Sequence, residues 1–300
     1  MRFLIAFIFL SNIQFLKAQN YVDLLKINYS ATPFNSYDSL SGLKTQVQEF
    51  STDITLPIVI DSSKSIITGI LFEQISLVNQ PENQSSFYTI SPKIGMNVNH
   101  SEKISGTYVF LPKISSDLTN GLSQKHFQFG GLALINLKKS PQFKYRFGVY
   151  YNQELFGPFL VPLIGFYYES NNKKFEANFT LPVSADMNYQ ILKNVKAGLN
   201  FSAVVKSFYI PEFNNNYMTK TTNDLFAYFQ LNSPSYRVLL EPQVGYSIGR
   251  SYRIYDTSDK LDLKVSAFKF GPDQHPLNYD FKDGLIFKIR LVYRFMLENN

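Results

Sequence analysis

Residues 236–248, YRVLLEPQVGYSI, decide the fold, because apolar and polar side chains alternate along them. The apolar set is Tyr236, Val238, Leu240, Pro242, Val244, Tyr246 and Ile248, and the set between them is Arg237, Leu239, Glu241, Gln243, Gly245 and Ser247. Successive side chains of a β-strand point to opposite faces, so this segment predicts a strand with one apolar face and one mainly polar face. The same pattern recurs over residues 87–98, 174–181, 195–209 and 284–296.

The length of these segments favours a membrane barrel over a soluble β-sandwich. Several of them run for ~10–14 residues, whereas an average strand has ~5–6 and a tilted strand that crosses a bilayer needs ~9–11. Aromatic residues also cluster at segment ends, as at Phe143, Tyr145, Tyr150 and Tyr151. Such clusters are typical of the aromatic girdles at the two membrane interfaces.

Strand counting predicts an all-β, transmembrane, antiparallel up-and-down β-barrel of about 14 strands, or 12 if one hairpin is mispaired. The strands are predicted near residues 22–30, 45–59, 65–77, 87–98, 104–114, 126–138, 142–153, 159–169, 174–181, 186–192, 195–209, 225–231, 236–248 and 284–296. Short periplasmic turns are predicted to alternate with mostly longer outer loops, including 78–86, 210–224 and 249–283. The strand-like residues 262–270 are assigned to the last outer loop, since counting them would give an odd number. Prolines inside the strands are expected to mark bulges; they are Pro92, Pro112, Pro162 and Pro242.

Composition excludes several classes of protein. The chain has 300 residues, 28 Phe, 20 Tyr and no Cys, and only 17% of its residues are charged. Abundant aromatics with little charge exclude a disordered chain. The lack of cysteine excludes a disulfide scaffold, a thiolate zinc site, a cysteine nucleophile and a lipid-anchored N-terminal cysteine. Positive charge is spread along the strands, so no focused nucleic-acid-binding patch is expected.

The N-terminus reads as a secretory signal peptide. Met1 and Arg2 are followed by a mostly apolar run over residues 3–16 and by Ala18, a small residue suited to cleavage. We therefore predict a signal peptide over residues 1–18 and a mature barrel over residues 19–300. With no cysteine in a secreted chain, the outer membrane of a Gram-negative bacterium is the expected location.

Candidate catalytic and metal-binding residues are sparse. The three histidines, His100, His126 and His275, are interpreted as loop or rim residues, and the aspartates of DTSDKLD at 256–262 lack the glycine and glutamate of an EF-hand loop. We predict no enzyme, no metal and no cofactor. An outer-membrane lipid hydrolase stays open as an alternative, because a serine–histidine pair is recognised by geometry that spacing cannot show.

The polar faces of the strands predict the residues that line the barrel interior. Cations outnumber anions on these faces, leaving aside 65–77 and 225–231, where the register is ambiguous. The candidate lumen-lining residues are Lys93, Lys144, Arg146, Glu176, Asn178, Asn200, Lys206, Arg237, Glu241, Gln243, Lys288, Arg290 and Arg294. A cationic lumen would favour anions, as rings of Arg and Lys do in anion pores.

Three functions fit a monomeric barrel of this size. The first is porin-like passive transport of small solutes, anions among them. The second is a carrier of a hydrophobic ligand or lipid, for which an apolar path is predicted along Phe159, Val161, Leu163, Leu239, Phe268 and Phe270. The third is a non-conducting structural or adhesive barrel whose outer loops bind a partner.

Several short motifs carry a family resemblance. They are Gly157-Pro158, the VPLIGFYY string at 161–168, Phe175, the PVSADMNY string at 182–189 and the YSATP string at 29–33. Together they resemble an uncharacterised family of porin-like outer-membrane barrels common in Bacteroidota-type bacteria. Tyr293 and Phe295 in the last strand look like the terminal aromatic signal for the barrel assembly machinery. The resemblance implies this machinery and outer-membrane lipid as partners, and it implies no catalytic residues.

Overall fold

The computed structural model describes residues 21–36, 44–80, 83–119, 121–211 and 216–296. Fourteen long strands build the barrel, and two short ones lie in a connection. The strands are β1 (Tyr21–Ser36), β2 (Lys44–Val59), β3 (Lys64–Gln80), β4 (Asn83–Asn99), β5 (Ile104–Ser116), β6 (Phe127–Ser140), β7 (Phe143–Glu154), β8 (Gly157–Glu169), β9 (Phe175–Leu181), β10 (Ser184–Leu192), β11 (Val195–Ile210), β12 (Asn216–Asn232), β13 (Val238–Asp256), β14 (Leu263–Val265), β15 (Phe268–Phe270) and β16 (Gly284–Met296). A short 3₁₀-helix, Gln124–His126, precedes β6.

The sheet closes on itself. Each barrel strand pairs antiparallel with its neighbour along the chain, and β1 pairs with β16 through contacts such as Ile27 with Leu291. The predicted 14-stranded antiparallel barrel is thereby confirmed. Tyr21 at the start of β1 lies opposite Met296 at the end of β16, so the first and last described residues sit at the end of the barrel that carries the short turns. We call this the short-turn end and the opposite one the long-loop end.

The wall follows the predicted alternation. Along β16, Leu285, Phe287 and Ile289 are exposed, and the residues between them face inward. Outward apolar residues form a belt around the barrel that includes Ile94, Phe110, Phe129, Phe147, Ile164, Leu199, Phe229, Val244, Phe287 and Ile289. At the short-turn end, Phe166 stacks on Phe143 and packs at a tilt against Phe179, with ring centroids 5.7 and 4.8 Å apart, which forms an aromatic stack across β7, β8 and β9.

Two local expectations are wrong. Pro92, Pro112, Pro162 and Pro242 cause no register shift in the ladders that contain them. A barrel strand is held by neighbours on both sides, so the residues around a proline keep the register although that position lacks a donor. The predicted loops at 78–86 and 210–224 are also mostly strand. The strands β3, β4, β11 and β12 continue toward the long-loop end beyond the residues whose apolar and polar side chains alternate.

The ends of β11, β12 and β13 leave the wall and enter the lumen. β5 and β11 are separated by five strands around the barrel, yet Tyr209 of β11 pairs with Ser116 of β5. Ser207 and the three residues after it are all buried, so both faces of this segment are covered by protein. We call residues 207–210, 216–222 and 250–256 the lumen flap.

The strand-like residues of the last long connection form a small hairpin, β14–β15. β14 pairs parallel with the long-loop end of β8, where Lys264 lies opposite Phe159. β9 pairs only with the other half of β8, so the hairpin occupies the wall position that the short β9 leaves free. Phe268 and Phe270 point to the exposed side of the hairpin.

Within the described residues, no helix is long and apolar enough to cross a membrane. The predicted signal peptide at 1–18, with its cleavage near Ala18, lies outside the described residues and stays a prediction.

Candidate functional site

The lumen is the candidate functional site, and its walls are lined with ion pairs. Strand pairing places Glu241 beside Arg290, where the guanidinium Nη1 lies 3.1 Å from the carboxylate Oε2. Other lumen pairs are Lys26 and Arg294 with Asp23, Lys93 with Asp53, Lys113 with Glu154, Lys196 with Glu176, Lys206 with Glu73, and Lys220 with Glu49. Apart from Lys26–Asp23, which lies within β1, these pairs join different strands across the inner surface, so they fix the wall and offset much of the predicted positive charge.

The predicted lumen-lining residues fall into three groups. Lys93, Glu176, Lys206, Glu241, Arg290 and Arg294 belong to the ion pairs above. Arg146 donates to Asn178 and Thr180 at 2.7 Å each, Asn200 donates to Asp186 at 3.2 Å, and Gln243 donates to Glu241 at 3.2 Å. Lys144 and Lys288 lie over the rings of Tyr167 and Phe226, at 5.9 and 5.0 Å from the centroids.

Arg237 is the exception among the candidates. It is exposed and precedes β13, in the turn at the short-turn end, so it belongs to the rim of the barrel. In the part of the chain that the structure describes, Lys144, Arg146 and Lys288 form no ion pair with a carboxylate. The ion pairs of the wall therefore do not offset the charges of these three residues.

The sequence reasoning missed several acidic residues of the lumen. Glu73 lies in segment 65–77, whose register was ambiguous from the sequence, Asp224 lies at the end of the predicted outer loop 210–224, and Glu154 lies at the last position of β7. One signal could have found Glu73. Leu71, Glu73 and Ile75 lie on one face of β3. An acidic side chain on that face indicates that the face points into the barrel, although both of its neighbours there are apolar.

A buried carboxylate holds the lumen flap against the opposite wall. Glu154 accepts hydrogen bonds from the Ser207 backbone N–H at 2.8 Å, from the Ser207 hydroxyl at 2.5 Å and from the Lys113 ammonium at 2.7 Å. Its side chain is fully buried. On the same serine, the carbonyl accepts from Gln128 Nε2 at 3.1 Å and the hydroxyl accepts from the Leu155 N–H at 2.8 Å. Three wall strands, β5, β6 and β7, thus converge on one flap residue.

A second contact fixes the flap to the other side of the wall. Lys220 of β12 lies 2.6 Å from Glu49 of β2, and the Tyr252 hydroxyl of β13 donates to the same carboxylate at 3.0 Å. Lys206, at the base of the flap, pairs with Glu73 of β3. The flap is therefore tied by charge to both sides of the lumen.

Apolar packing fills the lumen around the flap in two clusters. The first brings Phe208, Met218 and Tyr252 of the flap together with wall residues that include Val47, Ile75, Leu77 and Phe87. The second brings Tyr217 and Tyr255 together with Phe156, Phe159, Val161, Leu163 and Leu261. Of the predicted apolar path, Phe159, Val161 and Leu163 lie together in the second cluster. Leu239 is buried elsewhere, on β13 near the short-turn end, and Phe268 and Phe270 face outward.

Beneath the flap lies a polar cavity of about 190 Å³. Its lining includes Glu49, Glu73, Lys206, Lys220, Asp224 and Lys288. The lumen is thus polar and charged at its centre and apolar where the flap closes it toward the long-loop end.

The three histidines lie in different parts of the barrel, and His275 touches the aspartate cluster through its backbone N–H. His100 Nε2 is 3.0 Å from the Tyr108 hydroxyl, His126 packs against Tyr209 at 4.9 Å between ring centroids, and the His275 N–H donates to Asp259. Among the described residues, no three His, Asp or Glu side chains are grouped to hold a metal ion. The expectation that the protein is not an enzyme stays a prediction.

The fold and its interior define a 14-stranded β-barrel whose lumen is occupied by its own strand ends. The chain belongs to the family described as the domain of unknown function DUF6268, whose model matches residues 14–294. This confirms the resemblance to an uncharacterised family, and the Bacteroidota origin stays a prediction. No curated protein matches the chain significantly.

Solved structures of barrels are similar to the chain at low identity. The Pseudomonas putida toluene transporter TodX is 8% identical, with 94% of this chain and 92% of that chain covered at a TM-score of 0.40. A deltaS2 mutant of the TodX monoaromatic hydrocarbon channel is 9% identical, with 91% and 90% covered at 0.40. A bacterial polysaccharide outer membrane secretin is 8% identical, with 91% and 99% covered at 0.35.

Proposed function

We propose that the protein is a gated channel for small solutes in the outer membrane of a Gram-negative bacterium. The observation that carries the proposal is a closed wall, apolar outside and charged inside, whose lumen is blocked by the lumen flap. A closed barrel satisfies its backbone hydrogen bonds in lipid, which an open sheet does not. The apolar belt and the aromatic stack at the short-turn end fit a bilayer and its interface.

The orientation follows from the connections. Outer-membrane barrels have short periplasmic turns and long outer loops, so the short-turn end faces the periplasm and the long-loop end faces outward. Outer-membrane lipid and the barrel assembly machinery are the partners that this location requires. The signal peptide at 1–18 would deliver the chain to them.

In this proposal the lumen flap is the gate. The flap is tied to the wall by Glu154 and by the Lys220–Glu49 pair, so these contacts must break when the gate opens. Breaking a buried ion pair by removing one partner costs about 3–5 kcal/mol. Glu154→Gln removes the charge that faces Lys113 and weakens the contact with Ser207, so it should raise the fraction of time that the channel is open.

The test is single-channel current in a planar bilayer under a salt gradient. Wild-type protein should show brief openings, and Glu154→Gln should open at least about tenfold more often. The matched control is Glu176→Gln, which breaks a lumen pair with Lys196 that does not contact the flap. The control should keep the wild-type opening frequency. A folded, heat-modifiable barrel in which neither the wild type nor Glu154→Gln passes current would refute the channel.

A reversible lock tests the gate separately. The chain has no cysteine, so Ser116→Cys with Tyr209→Cys creates the only thiol pair, at two paired positions of β5 and β11. Cα atoms of bridged cysteines lie ~4.4–6.8 Å apart, a range that neighbouring strands meet. The oxidised variant should be silent and the reduced one should conduct. Equal currents in the two states would show that solutes pass without movement of the flap.

A second candidate function, the carrier of a hydrophobic ligand or lipid, is favoured by one observation. Phe159, Val161 and Leu163 form an apolar inner surface next to the flap tyrosine Tyr217. Mass spectrometry of lipid that co-purifies with the folded barrel tests this function. The carrier function is supported if one lipid co-purifies stoichiometrically with wild-type protein and is lost in Val161→Asp. Wild-type protein that purifies without bound lipid would count against it.

A further inference from the structure

A second cavity lies at the long-loop end, on the outer side of the flap, and flap residues such as Arg253 and Tyr255 form part of its lining. Its volume is about 470 Å³, within the ~300–1,000 Å³ range of small-molecule sites. The end of β13, the β14–β15 hairpin and residues 280–283 enclose it. It is separate from the polar cavity beneath the flap, with which it shares no lining residue.

A buried lysine, Lys264, lines this cavity. Lys264 is only 7% exposed, and its Nζ lies 5.4 and 5.5 Å from the ring centroids of Phe156 and Phe159. Among the described residues, no carboxylate forms an ion pair with it. Taking an ammonium group out of water is costly unless an opposite charge compensates for it. A bound anion would supply that charge.

The hairpin holds Lys264 in place on both sides. The Leu261 N–H donates to the Phe156 carbonyl at 2.7 Å, and the Ser266 N–H donates to the Leu160 carbonyl at 2.9 Å. Close packing adds to this anchor: a Cβ on Gly157, which has a φ of +125°, would lie 2.3 Å from the Leu261 carbonyl oxygen. The lysine therefore sits on a fixed element rather than on a loose loop.

The other charges around the cavity leave a positive excess. Of its two lining carboxylates, Asp280 accepts two hydrogen bonds from Arg253 at 2.7 and 2.6 Å, and Asp283 accepts from the Arg250 N–H at 3.2 Å. Among the described residues, Lys269 donates to the neutral Gln274 at 3.2 Å and forms no ion pair. Burial, with the charge of Lys269 as a further cause, lowers the pKa of Lys264 to about 8. An anion between the two lysines would relieve their repulsion.

Part of the remaining wall is apolar, beside polar residues such as Thr219, Thr221 and Ser251. Phe156, Tyr255, Leu261 and Phe281 line the cavity beside the cations. A bare inorganic anion would leave these surfaces uncovered, whereas an organic anion with a flat or branched apolar body would cover them. Lys269 is exposed and marks the side that is open to solvent.

We propose that this cavity binds a small organic carboxylate, with its charge between Lys264 and Lys269 and its apolar body against Phe156 and Tyr255. In placing the site at the outer entrance of a passage, the inference rests on the proposed function. The binding step itself requires no transport.

The test is equilibrium binding to the folded full-length barrel in detergent, with benzoate as the probe and the uncharged benzamide as its shape control. Benzoate should bind wild-type protein, and benzamide should bind at least about tenfold more weakly. Lys264→Gln should weaken benzoate binding by at least about tenfold, because truncating one partner of a buried charge pair costs several kcal/mol. Lys260→Gln, an exposed lysine of the same connection, is the matched control and should bind benzoate as the wild type does.

Equal binding of benzoate and benzamide, or equal losses in Lys264→Gln and Lys260→Gln, would overturn the inference. If Lys264→Gln fails to fold, Lys269→Gln takes its place, because that side chain is exposed and its loss does not disturb the core. A barrel that conducts but does not bind benzoate refutes only this site. A barrel that binds benzoate but never conducts refutes only the channel.

Discussion

The two halves of β12 show how differently the wall and the lumen flap are built. In the wall half, Leu225 and Phe229 face outward while Phe226 and Gln230 are buried. In the flap half, the adjacent residues Tyr217 and Met218 are both buried. The wall separates an apolar exterior from a charged interior, so its side chains alternate. The flap has protein on both faces, so burial no longer depends on which way a side chain points.

The comparison predicts that an apolar truncation will be costly in the flap and mild on the outside of the wall. Phe208 is fully buried and lies 5.7 Å from Phe87, centroid to centroid. Phe208→Ala should lower the free energy of flap opening by about 3–5 kcal/mol, the usual cost of removing a buried phenylalanine. Hydrogen exchange at the amides of 207–210 and 216–222 measures this, and exchange should accelerate there while the other strands keep their protection.

The control for that experiment is Phe229→Ala, on the exposed side of β12. It should leave exchange in the flap unchanged. If Phe208→Ala accelerated exchange equally in the wall and in the flap, the flap would not be a separate unit.

A charge on the outside of the wall should have the next largest effect. Ile289 is exposed near the middle of β16, within the apolar belt. Ile289→Lys should lower the free energy of unfolding by about 2–4 kcal/mol in lipid vesicles, as lysine does near a bilayer midplane. Denaturant titration of the vesicle-bound barrel measures it.

The depth control is Ile58→Lys, since Ile58 is exposed close to the turn at the short-turn end. There the same substitution should cost only about 0–1 kcal/mol. Equal costs at the two depths would show that the belt does not face a bilayer.

The smallest effect concerns the charge of the lumen. Lys288 lines the cavity beneath the flap and forms no ion pair in the part of the chain that the structure describes, whereas Arg237 lies at the exposed rim. In the Glu154→Gln background, Lys288→Glu should shift the reversal potential toward cations, because a charge inside a narrow lumen acts on every permeating ion. Arg237→Glu should shift it less, since solvent and salt screen the rim. The reverse order would mean that selectivity is set at the mouth.

Much of the wall could be predicted because alternation over ten or more residues is a strong local signal. Residues 236–248 show it: the predicted apolar face, from Val238 to Ile248, is the exposed face in the structure. The same reasoning placed 262–270 outside the strand count, where β14 and β15 are found. It could not extend β12 from Leu225 to Asn216, because the threonine-rich segment there has no apolar face that alternates.

The amino-acid sequence by itself determined the barrel, a count of about 14 strands and which face of most strands points inward. Each strand separates an outward from an inward environment, and this imposes a period of two on its side chains. Only the tertiary structure decided that β11 to β13 turn into the lumen, that Glu154 holds Ser207 and that Lys220 pairs with Glu49 across 171 positions of the chain. These contacts join strands that lie apart in sequence and face one another only after closure. Where an inward lysine pairs with a carboxylate from another strand, the curvature of the closed sheet selects which carboxylate it meets.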